Sequence, residues 1–361
     1  MDKGLTEKLQ PLREKIDALD AQILALLNQR AGVALEVGQL KTSVDEHDSI
    51  IKLDREAAII RKLQNDNNGP FPAQAIQAVW REIISACRGL ERVPVVAYLG
   101  PKGSFSEQAA FAYFGHSIER VPCNSFDEVF RAVEAGQAQL GIVPVENSTE
   151  GAVNRSLDLL LNTSLKVVGE YSLDIHHCLL SQSGTMEGVQ QVLAHPQALA
   201  QCQSWLNRHY PGLECAAAPS NSEAARLASE DATVAAIAGE VAAQEWGLGV
   251  VAARIQDDAL NRTRFLAIAN LDNPATGHDK TSIILAVPNR AGAVYEMLAP
   301  LAENGVSMTR LESRPARTGQ WEYYFYIDFL GHQSDAKVQK ALAVLQERAA
   351  FFKVLGSYPA Q

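Results

Sequence analysis

"LGIVPVENSTEG", Leu140 to Gly151, is the stretch on which the fold turns. The apolar run Leu140 to Val145 predicts a buried strand. It discharges at once into Glu146, Asn147, Ser148, Thr149 and Glu150. Polar residues in that place have two readings. One is a helix N-cap, since Asn, Ser and Thr are capping residues. The other is a polar pocket at the carboxyl end of a strand, where open α/β sheets bind ligands. The local sequence favours the cap slightly, so the surrounding chain has to decide.

Around this stretch, from Val95 to Leu271, short apolar runs alternate with helical stretches, the pattern of an α/β domain. "VVAYLG", "LGIVPV", "HHCLLS", "QQVLAH", "TVAAIAG" and "RFLAIAN" are its strand candidates. Residues 1–92 read as all helix: a long first helix, a second over about Ser49 to Gln64 and a third over about Ala73 to Leu90. "NDNNGPFP" breaks the last two apart, and "ERVP" marks the boundary with the α/β segment. After the polar linker "LDNPATGHDK", residues 280–361 read strand, helix, strand, strand, helix, strand, a ferredoxin-like order.

With 361 residues, two or three domains are expected. The net charge of −10 argues against a nucleic-acid partner, and any anionic substrate must find its Lys and Arg gathered locally. No run is long and apolar enough for a membrane span and "MDKGLTEKLQ" has no leader-like apolar core, so a cytoplasmic protein is expected. Cys87, Cys123, Cys178, Cys202 and Cys215 are scattered, without C-x-x-C, which predicts reduced thiols and no metal site.

On the first helix, Leu12, Ile16, Leu19, Ile23 and Leu26, then Val33, Val37 and Leu40, form an apolar stripe. Arg30 takes the next position along it, and Lys41 points nearly the same way. Trp80 and Ile84 lead along the third helix to Cys87 and Glu91, and the second supplies Arg55 and Glu56. A buried ion-pair network or snorkelling side chains would account for any one of these charges. Together, richer in cations than anions, they suggest a pocket for a small polycarboxylate.

"LREKIDALDAQILALLNQRAGVALEVGQLK" followed by "DREAAI" resembles the all-helical chorismate mutase family over residues 8–92. The resemblance implies a three-helix domain that rearranges chorismate to prephenate by positioning and electrostatic complementarity. By position, Arg13 and Arg30 would hold the substrate carboxylates, and Lys41 and Glu91 the ether oxygen. Glu56 would take the ring hydroxyl, with Arg55 and Cys87 in the same pocket. Arg13 and Arg30 lie roughly 25 Å apart on a straight helix, so Arg13 is expected to serve a partner chain, as in the family's dimers. Lys52, Cys87 and Glu91 depart from residues common in the family.

"GPKGSFS", "PVENSTEG", "AHPQALAQC", "SNSEAA" and "NRTRF" resemble the prephenate dehydratases over residues 95–271. The implied fold is two α/β lobes, similar to type II periplasmic binding proteins, with the site in the cleft. Thr263 would then stand at the leaving hydroxyl of prephenate, with Glu146, Asn147, Ser104 and Gln201 around it. Glu146 or a water would source the proton, and the N-cap reading survives only as an addition for Ser148 or Thr149. Ala194 replaces a serine common in the family. His195 is expected to pack at a strand end, His176 and His177 to be strand residues, and Arg264 to face away from Thr263.

"NRAGAV" and "LESRP" resemble the ACT domain of phenylalanine-regulated prephenate dehydratases over residues 280–361. Gly292, Ala293, Glu312, Ser313, Arg314 and Pro315 are the implied effector site, completed across a dimer interface. The whole chain thus resembles bifunctional chorismate mutase–prephenate dehydratases, acting without cofactor or metal as homodimers or larger homo-oligomers and inhibited by phenylalanine. A non-catalytic sensor with the same domains, and a structural coiled coil for residues 8–45, are the rivals.

Overall fold

A computed structural model of the protein describes residues 3–44, 51–287, 290–316 and 322–360. The start of the expected second helix, at Ser49, lies outside these residues. The observed helices are α1 (Lys3–Val44), α2 (Leu53–Asp66) and α3 (Ala73–Glu91). One compact unit takes α1, the later part of α2 and α3, together with residues 114–118; residues 53–59 and the rest of the described chain make the second.

In the first unit α1 packs on α3, but not through the apolar stripe. Leu12, Ile16, Leu19, Ile23 and Leu26 are each 48–62% exposed. The half-covered face of α1 is instead Leu27, Arg30, Ala31, Ala34, Gly38 and Lys41, spaced by threes and fours. Arg30 and Lys41 therefore share a face, and it is not the face of the stripe. α3 contributes the buried Ile76, Ile84 and Cys87.

The second unit opens with β1 (Val95–Leu99), α4 (Phe105–Phe114), β2 (Glu119–Cys123), α5 (Phe126–Glu134), β3 (Leu140–Asn147), β4 (Gly151–Ala152), α6 (Asn154–Asn162) and β5 (Lys166–Asp174). It continues through β6 (Cys178–Ser181), β7 (Gln191–Ala194), α7 (Pro196–Gln201), α8 (Gln203–His209), β8 (Glu214–Ala217), α9 (Asn221–Glu230), β9 (Val234–Ala238), α10 (Glu240–Trp246) and β10 (Gly249–Ala252), and returns as β11 (Arg262–Ala269). Two sheets result, ordered β2-β1-β3-β11-β5, with β4 on β3, and β10-β6-β9-β7-β8. The chain crosses between them at residues 175–177 and 253–261, so these two crossovers join the lobes. Every strand anticipated in this region forms.

β12 (Asp279–Ala286), α11 (Ala293–Glu303), β13 (Met308–Ala316), β14 (Glu322–Leu330), α12 (Ala336–Arg348) and β15 (Phe351–Pro359) complete the unit as an antiparallel sheet ordered β13-β14-β12-β15. The sheet rests on α6. Tyr326 Oη donates to the Leu157 carbonyl at 2.8 Å, and Lys353 Nζ donates to those of Leu160 and Leu161 at 2.9 and 3.0 Å. A cation at the open carbonyls of a helix end is favourable.

No helix opens at Ser148 or Thr149, which overturns the capping reading. Asn147 Oδ1 accepts from the backbone N–H groups of Thr149 and Glu150 at 3.0 and 3.1 Å. This Asx turn sends the chain back as β4, and α6 starts only after Val153.

Candidate active sites

In the helical unit Lys41 Nζ lies 3.4 Å from Glu91 Oε2, with the two side chains 26% and 13% exposed. A cation and an acid from the last turns of α1 and α3 thus meet, as the spacing implied. Gly38 makes the approach possible: a Cβ there would stand 2.9 Å from Cγ of Glu91. Nothing in the sequence pattern singled out Gly38. Cys87 is buried on α3, Arg30 half-buried and Arg13 fully exposed on α1. On one uninterrupted helix the last two are about 25 Å apart, so a single chain does not bring them together. Arg55 is exposed and Glu56 half-buried at the start of α2.

In the second unit a cavity of about 320 Å³ opens between the lobes, lined among others by Ser104, Asn147, His177, Gln201, Asn261 and Thr263. Thr263 of β11 is in register with Asn147 of β3, so both face the cavity. Asn147 Nδ2 donates to Thr263 Oγ1 at 2.9 Å and to Asn261 Oδ1 at 3.0 Å. Asn261 Nδ2 donates to Gln201 Oε1 at 3.0 Å, and Gln201 Nε2 to Thr149 Oγ1 at 3.0 Å. Thr263, Asn147 and Gln201, read from the sequence as one constellation, are joined through Asn261, which that reading missed. The N–H of Asn147 occupies an acceptor site on Thr263, so the threonine's own proton stays available for another partner.

Ser104 lines the cavity as the cap of α4: its Oγ donates to the Leu99 carbonyl at 2.9 Å and accepts from the Glu107 N–H at 3.3 Å. Glu107 reaches back to the Gly103 N–H at 2.5 Å, so Ser104 and Glu107 together tie down the turn before α4. The same carboxylate, wholly buried, accepts from Tyr98 Oη at 2.8 Å and Arg120 Nη1 at 2.7 Å. It locks the turn that presents Ser104. Burial and then Glu107 push the Tyr98 hydroxyl pKa well up, keeping it a donor.

Glu146 requires correction. It pairs with Arg264 on the face of β3 and β11 opposite to Asn147 and Thr263, because strand side chains alternate. Its carboxylate accepts from Arg310 Nε of β13 at 2.6 Å and does not line the cavity. It therefore cannot be the proton source in this arrangement. Arg264 is likewise turned away, toward Glu170 and Asp328, each at 2.7 Å. His195 caps α7, with Nδ1 accepting from Gln197 N at 3.3 Å. His176 Nδ1 accepts from Gln256 Nε2 at 3.0 Å, and no metal-binding cluster occurs among the described residues.

The expected local Lys and Arg are also missing from the described cavity wall. Instead α4 and α9 direct their N-termini there, the latter capped by Ser220 at Glu223 N. Free N–H groups and the positive end of each helix dipole attract anions without a side-chain cation.

Comparison with known proteins shows the family. Residues 12–92 match the family model for chorismate mutase type II, and residues 96–273 that for prephenate dehydratase. The bifunctional chorismate mutase/prephenate dehydratase of Neisseria gonorrhoeae is 48% identical over 99% of both chains. The chain belongs to the bifunctional chorismate mutase/prephenate dehydratase family. It is an enzyme with both activities, the mutase in its helical segment and the dehydratase in its α/β segment.

Solved structures of the dehydratase fold are similar in turn. Prephenate dehydratase of Arthrobacter aurescens, in complex with L-Phe, is 33% identical over 74% of this chain and 90% of its own, with a TM-score of 0.68. GqqA, described as a novel type of quorum quenching acylase, also has a TM-score of 0.68, at 30% identity over 74% of this chain and 98% of its own.

Residues 281–347 match the ACT domain model. Gly292, at φ +81°, sits in the left-handed region that glycine favours and starts α11, so Ala293 is its first residue. A 200 Å³ cavity beside it is lined by Ala293, Arg290, Glu296 and Arg348 among others, but not by Glu312 to Pro315. Glu312 is half-buried 3.7 Å from Arg310, while Ser313 and Pro315 are exposed. Arg314 faces the wrong way for an effector. It is 8% exposed, donates to the Asn154 carbonyl and pairs with Asp158 at 3.0 Å, holding β13 on α6.

Proposed function

We propose that the cavity between the lobes takes prephenate with its carboxylates at the N-termini of α4 and α9 and its ring hydroxyl at Thr263. The proton that Asn147 leaves free on Thr263 carries this reading. Dehydration consumes one proton, which a water in the cavity supplies, since Glu146 is turned toward Arg310. The C–O bond breaks as water departs, the carboxyl-bearing bond supplies its electron pair to the ring, and carbon dioxide leaves as the ring becomes aromatic. Thr263 hydrogen-bonds the departing hydroxyl, and Asn147 holds it in that direction. Thr263→Ala is expected to lower dehydration on the order of 10²- to 10⁴-fold and leave the mutase within a few-fold. Equal loss of both activities would overturn the assignment.

In the helical segment, Lys41 and Glu91 are assigned to the ether oxygen of chorismate and Arg30 to a carboxylate on the same face of α1. The bare stripe Leu12 to Leu26 is assigned to a second copy of α1, which brings the partner's equivalent of Arg13 to the pocket. The product, phenylpyruvate, belongs to phenylalanine synthesis, and phenylalanine is the inhibitor proposed for the ACT domain. The L-Phe bound to the Arthrobacter relative supports that choice. A route to the cavity exists in β13: Glu312 neighbours Arg310, and Arg310 holds Glu146, the residue before Asn147. Arg310→Ala is expected to weaken phenylalanine inhibition severalfold with uninhibited dehydration within a few-fold. Unchanged inhibition would break the proposed route.

A further inference from the structure

His177 lies on the crossover between β5 and β6, 2% exposed and with the edge of the Phe105 ring packed at 5.4 Å between centroids. Nε2 is 2.9 Å from Gln201 Oε1, and Nδ1 has no hydrogen-bond partner. The hydrogen-bond directions around it can be assigned from backbone groups that only donate. Thr149 N and Glu150 N donate to one atom of the Asn147 amide, so that atom is the carbonyl oxygen. Thr149 Oγ1, 2.6 Å from the same oxygen, must then donate to it. With its proton committed, Thr149 Oγ1 accepts from Gln201, so the nitrogen of the Gln201 amide faces Thr149. Gln201 Oε1 therefore faces His177 and Asn261, and the His177 proton is on Nε2.

We propose that His177 is a positioning residue for dehydration, whose Nε2–H holds Gln201 across the lobe boundary so that Asn261 and Asn147 aim the Thr263 proton at the substrate. The residue touches no reacting atom. It acts where the first crossover meets α7, and Asn261 acts from the end of the second crossover. Gln201 is the one side chain of the network supplied by the second lobe. Without His177, the Gln201 oxygen keeps a single donor, Asn261, and its amide is held by two hydrogen bonds in place of three. The inference rests on the placement of dehydration at Thr263.

The test compares His177→Leu, which fills the site without a donor, with His177→Gln, whose amide N–H reaches the position of Nε2. The Leu variant should lose about 10- to 100-fold in dehydratase kcat, the scale of one lost buried hydrogen bond, with KM within about two-fold and mutase activity unchanged. The Gln variant should recover most of that loss. Leu and Gln variants equally impaired, a change in KM alone, or a Leu variant at wild-type kcat would overturn the proposal. Should the Leu variant be poorly folded by thermal unfolding, a cycle of His177→Ala and Gln201→Ala decides it: additive losses refute action through Gln201, and non-additive losses support it. Thr263→Ala, assayed in parallel, separates the two ideas. If Thr263→Ala keeps its activity, the site itself is misplaced. If Thr263→Ala is dead and His177→Leu is not, only the positioning role fails.

Discussion

The two candidate sites are built from different materials. The helical segment relies on full charges: Arg30 and Lys41 on one face of α1, with Glu91 3.4 Å from Lys41. The cavity of the α/β segment relies on neutral amides, hydroxyls and helix ends, with no Lys or Arg in its described wall. In the first region Arg13 and Arg30 are spread along a single helix whose apolar stripe is bare. In the second, Thr263, Asn147, Asn261, Gln201 and Thr149 are joined within one chain, each hydrogen bond fixing the direction of the next. A polarised C–O bond breaking without a proton calls for charge. A leaving hydroxyl calls for a proton pointed the right way.

Removing a charge is the largest expected break in this comparison. Lys41→Ala should lower mutase kcat/KM on the order of 10²- to 10³-fold, the usual scale for loss of an electrostatic donor, while dehydration stays within a few-fold. A similar drop in dehydration would show that the two regions are not independent. The bare stripe permits a sharper experiment. Arg13→Ala and Arg30→Ala chains, each with little mutase activity, should regain about a quarter of the wild-type rate when mixed equally, since half the dimers then hold one intact pocket. If mixed dimers form and stay inactive, Arg13 and Arg30 do not complete one pocket from two chains.

The smallest effect concerns acid. Burial holds the His177 imidazole below its ordinary range, against the pull of its Gln201 hydrogen bond and with some help from nearby His176. The unfolded chain, with an ordinary imidazole near about 6.5, then binds the proton first. Stability from this group is present above that pH and declines as pH falls toward the lower folded value. His177→Gln should flatten that part of the acid-side fall in thermal midpoint of the dehydratase segment. An unchanged slope would mean that His177 is not what titrates.

Much of the site was visible in the chain. "PVENSTEG" and "NRTRF" pointed to Asn147 and Thr263, and strand alternation already turned Arg264 away. The same alternation, applied to Glu146, would have put it on the far face with Arg264. The family pattern outweighed it. Asn261 opens "NRTRF" but was passed over for Thr263, and His177 was expected in a strand but stands just before β6. Each lies on a crossover and takes its meaning from residues at least 24 positions away. Arg314 was misread because its partners, Asn154 and Asp158, belong to α6 in another part of the chain.

By itself the sequence determined the order of the elements, the helical face that joins Arg30 to Lys41, and the turn chemistry that shapes Ser104 and Asn147. These follow from periodicity and from hydrogen bonds between near neighbours, which act over a few residues. Tertiary structure decided which neutral groups join in the cavity wall and which charges hold β13 to α6. The Asn147 turn sets the first hydrogen-bond direction locally, but the groups it then orients, Thr263, Asn261 and Gln201, come from distant segments brought together by the two crossovers and the packed sheets.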